Sequence, residues 1–191
     1  MSHPDAAPPG INTVAREAGL NKVLIYRYFG SWDGLLEVFA QRVNPWRDLR
    51  VEVQAGLDAE RWTTLRQLLT WLFTTYLDRL LASPLLQNLL RLSLVHRDPL
   101  HLALEQDRER EGLAVLQAVA IRFPLPAELD HQALSATLVG GLTWLALAGT
   151  RAGVFNGLTF GTLEAEGPAR LRSAVDSWVV TLTPDKSPNI L

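Results

Sequence analysis

Apolar residues recur at spacings of three and four through most of the chain, and no stretch alternates in the manner of a paired strand, so the periodicity predicts an all-α protein. The first stripe is Ile11, Val14, Ala15 and Ala18, followed by Gly19, where a glycine can turn left-handed and end a helix. Asn21 then supplies a side-chain cap for a second short helix, whose Ile25 and Phe29 turn inward while Lys22, Tyr26 and Arg27 turn outward. Gly30-Ser31 closes that helix, and Ser31 caps a third with Leu35, Leu36 and Phe39 as its buried stripe. Pro45, after Asn44, ends or kinks the third helix and marks a candidate hinge.

Past that proline, Trp46, Leu49 and Val53 carry the helical period on to a loop expected at Gly56-Leu57-Asp58. Leu65, Leu68, Leu69, Leu72, Phe73, Tyr76, Leu77 and Leu80 predict a helix over 60–82. Pro84 suits the first turn of the next helix, which runs to about His96, and Asp98-Pro99 opens a longer one that ends before Pro124. Inside it, Glu105 to Glu111 mixes both signs of charge at helical neighbour spacing and reads as a solvated face. Gly149, Gly153, Gly157 and Gly161 recur every fourth residue. Because each costs roughly 1 kcal/mol inside a helix, they predict termination near Gly153 and a loop, before a last helix over 168–182.

Gln132 to Thr150 contains nineteen residues without a charge, which meets the length criterion for a membrane span. Gln132, Ser135, Thr137, Thr143 and the glycines within the run, with no basic cluster or aromatic belt at its ends, favour a helix covered by neighbours or by a second copy of the chain. No membrane partner is expected.

Composition narrows the class further. The 191 residues include no cysteine, which removes a disulfide framework and thiolate metal sites, and Met1 to Gly10 lacks the basic start and apolar middle of a signal peptide. A cytoplasmic protein is the expectation. The net charge is −2 overall. Residues 11–47, by contrast, carry five basic groups (Arg16, Lys22, Arg27, Arg42, Arg47) against three acidic (Glu17, Asp33, Glu37), a balance of +2. Nothing recruits a reaction: His96-Arg97-Asp98 imitates a kinase catalytic loop, but Ala103 stands where its magnesium-binding asparagine belongs. The four histidines show no metal-binding spacing, and neither a nucleophile turn nor a phosphate loop occurs. No enzyme activity, cofactor or metal is expected.

Val14-Ala15, Ala18-Gly19, Tyr26, Tyr28-Phe29, Ser31 and Leu35-Leu36 fall without gaps on a motif of hydrophobic-Ala-x-x-Ala-Gly, a short helix ending Tyr-x-Tyr/His-Phe, and Ser-Lys-x-x-Leu. Over about thirty residues the chain thereby resembles the DNA-binding domain of the tetracycline-repressor (TetR) family. The resemblance implies a helix-turn-helix in which Asn12, Lys22, Val23, Leu24, Tyr26, Arg27, Tyr28 and Trp32 occupy the DNA-facing positions. A lysine, an arginine and two phenols supply donors to phosphate oxygens. The chain departs from the family at three places. Trp32 replaces a lysine. Val23 and Leu24 are bulky and apolar, able to touch thymine methyls but not to read a donor or acceptor. The family's amphipathic helix ahead of the motif is met here by MSHPDAAPPG, with three prolines and no apolar period.

The expected organisation is a disordered segment at 1–10, a truncated helix-turn-helix domain at 11–45, a helical ligand-binding and dimerisation domain at 46–183, and a flexible tail at 184–191. Large aromatic or polar groups set in leucine-rich stripes, namely Trp71, Tyr76, Gln87, Arg91 and Trp144, are the candidate contacts for a small-molecule effector. Leu138, Leu142, Leu145, Trp178 and Val179 are the candidate homodimer interface, with Gly140-Gly141 allowing close backbone approach. The resemblance then implies a ligand-responsive regulator, a repressor released from a palindromic double-stranded DNA operator by a small molecule. The other reading is a helical ligand-binding or interaction protein, derived from such a regulator, that has lost DNA binding.

Overall fold

The computed structural model describes residues 10–95, 97–125, 130–160 and 166–183. Apart from Gly10, the segments expected to be disordered lie outside the described residues, as does His96. The described chain is all-α: α1 Ile11–Glu17, α2 Lys22–Phe29, α3 Trp32–Val43, α4 Pro45–Asp58, α5 Leu65–Ala82, α6 Pro84–Ser93, α7 Pro99–Arg122, α8 His131–Ala152 and α9 Gly167–Leu182.

Helix starts follow from side-chain caps. Asn21, Ser31, Asn44, Thr64, Ser83, Asp98 and Asp130 each accept a backbone N–H of the first turn, satisfying donors that have no partner within the helix. At α4, α6 and α7 the cap is followed at once by a proline, whose missing N–H is one of those unpaired donors in any case. Asp98 shows how tightly a cap is held. Burial alone would raise its carboxyl, but the backbone and ring of His101, with the N–H of Leu100, outweigh it and hold the pKa below the ordinary carboxylate value.

The core is organised by α5, which packs against α4, α6, α8 and α9. Its Leu68, Leu72, Phe73, Tyr76, Leu77 and Leu80 are buried. α7 lies along both α3 and α4, and α2 and α1 follow α3.

Four local expectations are corrected. The helix expected to break at Gly56 runs through it to Asp58, because Gly56 lies under the Trp62 ring and its missing side chain makes room for that ring. α5 begins at Leu65 rather than 60, since the Thr64 cap sets its first turn and Glu60, at φ 51°, turns the chain ahead of it. The loop after Gly153 contains a short hairpin, β1 Val154–Phe155 antiparallel to β2 Leu158–Thr159, closed by Asn156 and Gly157 at φ 47° and 77°. Both central residues of the tight turn take positive φ, which Asn-Gly adopts most readily. Phe160, directly after the hairpin, is buried against Gly149 and Gly167. The last correction is the charged run of α7, where Asp107 and Glu111 are only 4% and 5% exposed.

Gly56 yields a test with an unexpected sign. Alanine is the better helix former by roughly 1 kcal/mol. Its Cβ would nevertheless collide with the Trp62 ring. We therefore expect Gly56→Ala to destabilise the protein by about 1–3 kcal/mol in urea unfolding, the usual range for overpacking. A variant more stable than the wild type would refute the packing argument.

Candidate functional site

The α1–α2 unit is shaped by its turn. Gly19 takes φ 66°, its N–H bonds the Arg16 carbonyl at 3.1 Å, and the Leu20 N–H reaches back to the Ala15 carbonyl at 2.9 Å. This paired closure ends α1 and swings the chain directly into the Asn21 cap of α2, 2.9 Å from the Val23 N–H. Only Ile25 of α2 is fully buried. Lys22, Val23, Tyr26, Arg27 and Tyr28 are all exposed, Tyr28 to 73% and Val23 to 61%, and Asn12 is exposed on α1. The outer face therefore carries two cations, two phenols and one apolar side chain. Leu24 is half-buried. Trp32 is also half-buried and lines an apolar groove of about 340 Å³ with Val14, Leu35, Phe39, Pro99 and Leu100. Of the eight residues placed at DNA-facing positions, six share an exposed surface and two are partly drawn inward.

Of the five expected effector contacts, Gln87 and Arg91 come together, sharing a hydrogen bond at 3.4 Å and the Thr150 hydroxyl, and the other three do not join them. Trp71 is tilted against Trp62 with ring centroids 4.9 Å apart, and the Arg61 guanidinium sits 5.2 Å from both rings. Gln87 is buried and donates to the Leu80 carbonyl at 2.8 Å, an acceptor that Pro84 cannot serve because it has no N–H. Arg91 ties α6 to α8 by donating to the Leu147 carbonyl and the Thr150 hydroxyl at 2.9 and 3.0 Å. Burial first, then the like charge of Arg151, lowers its pKa. Trp144 is 55% exposed on the outer side of α8. Tyr76 does not itself line a cleft but contacts two residues that do.

Tyr76 is fully buried, stacks on Trp46 with centroids 4.8 Å apart, and shares hydrogen bonds with Thr143 at 2.8 Å and the Arg108 guanidinium at 3.3 Å. Trp46 and Arg108 in turn line a cleft of about 530 Å³ between α7 and α8, a size suited to a small molecule. Glu105, Glu109 and Leu113 continue its α7 wall; Ser135 and Val139 stand on its α8 wall. The mixed charges of Glu105 to Glu111, which resemble a solvated face, conceal this cleft in the sequence. Gly112, in the middle of a 24-residue helix, is the signal that could have marked it.

Next to the cleft, two buried acids of α7 hold the α3–α4 corner. Asp107 accepts from the Asn44 side chain at 2.8 Å, Arg47 at 3.3 Å and Arg110; Glu111 accepts from Arg50, with Arg47 and Arg110 at 3.7 and 3.6 Å. The corner read from the sequence as a hinge is a bonded joint.

The expected dimer residues divide by burial. Val179, at 0%, belongs to the chain's own core; Leu142, at 4%, and Leu138, at 9%, are largely covered but still line the groove between α8 and α9. Leu145 and Trp178 border a groove of about 240 Å³ between α8 and α9, beside Thr137, Gly141 and Ala174. By length and composition α8 could cross a membrane, and only 28% of its most apolar window is buried within the chain. The stretch of α8 without a charge, Gln132 to Thr150, has an outward side that is open, including Trp144 and the Gly140-Gly141 pair, around which a Cβ would meet nothing within 4 Å.

The chain matches no family model, no curated protein sequence and no solved structure at a significant level.

The bonded joint can be tested directly. Asp107→Ala leaves the buried Asn44 amide without its acceptor and Arg47 with Glu111 alone at 3.7 Å, and we expect it to cost about 2–3 kcal/mol in urea unfolding. That is below the roughly 3–5 kcal/mol of a fully buried pair, because Arg47 and Arg110 keep partial access to water. A loss under about 0.5 kcal/mol, the level of a surface substitution, would mean that the acids do not hold the corner.

Proposed function

We propose that this chain is a ligand-responsive DNA-binding transcriptional regulator of tetracycline-repressor type, acting in the cytoplasm as a homodimer and released from its operator by a small molecule. The observation that carries the reading is the exposed face of α2. Lys22, Tyr26, Arg27 and Tyr28 stand clear of the core on a helix entered through a left-handed glycine and an asparagine cap. Such a face suits phosphate contact and insertion into a major groove, with Val23 available to a thymine methyl. On this reading residues 11–45 are the DNA-binding module and the remainder is the ligand-binding and dimerisation domain. The Asn44–Asp107 joint couples them: an effector that shifts α7 against α4 also shifts α3 and, through it, α2. Release then follows from a change in the separation of two recognition helices, which must fall about 34–36 Å apart to enter successive grooves.

The second copy docks on the outer face of α8 and α9. A helix without a charge from Gln132 to Thr150, with an exposed tryptophan and two unobstructed glycines, has the composition of a surface that another backbone approaches closely. A second reading, a helical ligand-binding protein without DNA affinity, draws on the apolar groove beside Val14 and Trp32, which leaves one side of the α1–α3 module uncovered.

Fluorescence anisotropy against the gene's own promoter separates the two. The regulator reading expects a preference for promoter over random duplex that weakens with salt. Lys22→Ala and Arg27→Ala should each lower affinity and reduce the salt slope by roughly one unit, while Tyr26→Phe lowers affinity alone. Equal, weak binding to both duplexes would favour the second reading.

The dimer is tested by light scattering. Wild type is expected at twice the 21.2 kDa chain mass. Trp144→Asp or Trp178→Asp should yield a folded monomer, since both side chains are about half exposed in the isolated chain. A monomeric wild type, or dimers in both variants, would place the interface elsewhere.

A further inference from the structure

We infer that the α7–α8 cleft binds a neutral, planar, oxygen-bearing aromatic compound, with the margin of Trp46 at its base and Arg108 as donor to a carbonyl oxygen of the ligand. The argument starts from the stripe that α7 turns toward α8. Glu105, Arg108, Glu109, Gly112 and Leu113 line the cleft together, three and four residues apart. Arg108 is half-buried, its one hydrogen bond among the described residues goes to the Tyr76 hydroxyl, and its Nε has no partner. A half-buried guanidinium with donors to spare on the wall of a half-open cleft suits an acceptor.

The charge around it restricts which acceptor. Glu105 and Glu109 are exposed on either side of Arg108, so the three groups sum to −1 and repel an anion that approaches the guanidinium. The same carboxylates accept hydrogen bonds, which suits phenolic hydroxyls at the mouth. A cation could pair with the rim but would leave Arg108 unsatisfied. A neutral compound carrying both a carbonyl and a hydroxyl meets every group present.

Gly112 supplies the independent observation. A glycine in the interior of α7 weakens the helix, and the chain itself does not require it: an alanine Cβ there would come no nearer than 3.9 Å to the Trp46 ring. Leaving the position bare keeps the margin of Trp46 that lines the cleft uncovered, although the ring is only 5% exposed and stacks on Tyr76 from within. Leu113 and Val139 provide the apolar edges against which a planar body would rest. Trp46 also starts α4, two residues from Asn44, so an occupant lies against the joint that orients α3.

As a binding site the cleft stands alone; its role as an effector site rests on the regulator reading. The test is calorimetry on the full chain with three naphthalenes of similar shape: 6-hydroxy-2-acetylnaphthalene (neutral), 2-naphthoate (anionic) and 2-naphthylmethylammonium (cationic). The neutral ketone should bind roughly ten-fold or more tightly than either charged probe, and Arg108→Leu should weaken it by a similar factor. Gly112→Leu, which fills the cleft from an open position, should abolish saturable binding while helical circular dichroism is retained. Glu105→Gln with Glu109→Gln should raise the affinity for naphthoate. Failure of the neutral probe to saturate, a charged probe binding more tightly, or unchanged affinity in Arg108→Leu would each overturn the inference. Because these titrations contain no DNA, probe binding without promoter binding would sink only the regulator reading, and promoter binding without probe binding would sink only the site.

Discussion

The rest of the structure depends on two carboxylates that a helix would ordinarily turn to solvent. Asp107 and Glu111 are buried, and their charge is matched by Arg47, Arg50 and Arg110, with Asn44 closing the network from the bend itself. An unpaired carboxylate at such a position would be very costly, so the acids fix where α4 must lie on α7, and α4 fixes the exit of α3. Apolar packing alone would allow sliding between two helices of 14 and 24 residues. A side-chain amide that caps one helix while donating to a carboxylate on another leaves far fewer arrangements. Asn44 does both: its oxygen accepts the Trp46 N–H at 3.1 Å, and its nitrogen donates to Asp107.

This joint bears on how a signal could travel. A flexible linker passes little force, because bending dissipates a displacement applied at one end. A buried, polar corner has few arrangements and passes a shift of α7 on to α3 nearly intact. Trp46 stands where such a shift would begin, sharing its stack with Tyr76 on α5 and facing the α7–α8 cleft. The cleft and the exposed face of α2 are therefore ends of one continuous run of packed groups rather than separate features of separate modules.

Much of this was legible in the sequence because it is local. Caps, prolines at first turns, the left-handed Gly19 and the end of α8 at Gly153 are each set by a few neighbouring residues, and all stand where the residue types place them. What the sequence hid is pairwise and distant. Gly56 looked like a break because its reason for being bare, the Trp62 ring, arrives only when the chain folds back. Trp71, Gln87 and Arg91 looked like ligand contacts because polar and aromatic groups in a leucine stripe need partners. Their partners are an arginine, the last carbonyls of the helix that precedes a proline, and a carbonyl on α8. Yet the buried acids were readable: Leu104, Asp107, Glu111, Val115 and Val119 form one stripe, all buried, and Arg47 and Arg50 share a face three residues apart on the opposing helix. The mixed signs of the run conceal this period, since exposed charges stand close to each buried acid along the chain.

The same attention to what lies opposite distinguishes the glycines. Gly56, Gly149 and Gly167 are bare because a ring or a backbone of the same chain already occupies the space. Gly112 at the cleft and Gly140-Gly141 on α8 are bare with room to spare, although each weakens the helix that contains it. A cost of about 1 kcal/mol per glycine, in a protein whose whole stability is on the order of 10 kcal/mol, points to an approach that the isolated chain does not contain. At Gly112 the walls are polar on one side and aromatic beneath, which suits a small planar molecule. At Gly140-Gly141 the neighbours are Thr137, Trp144 and Trp178, with no charged side chain among them, which suits another helix. The two bare positions thus differ in what they can admit, and that difference follows from the side chains around them.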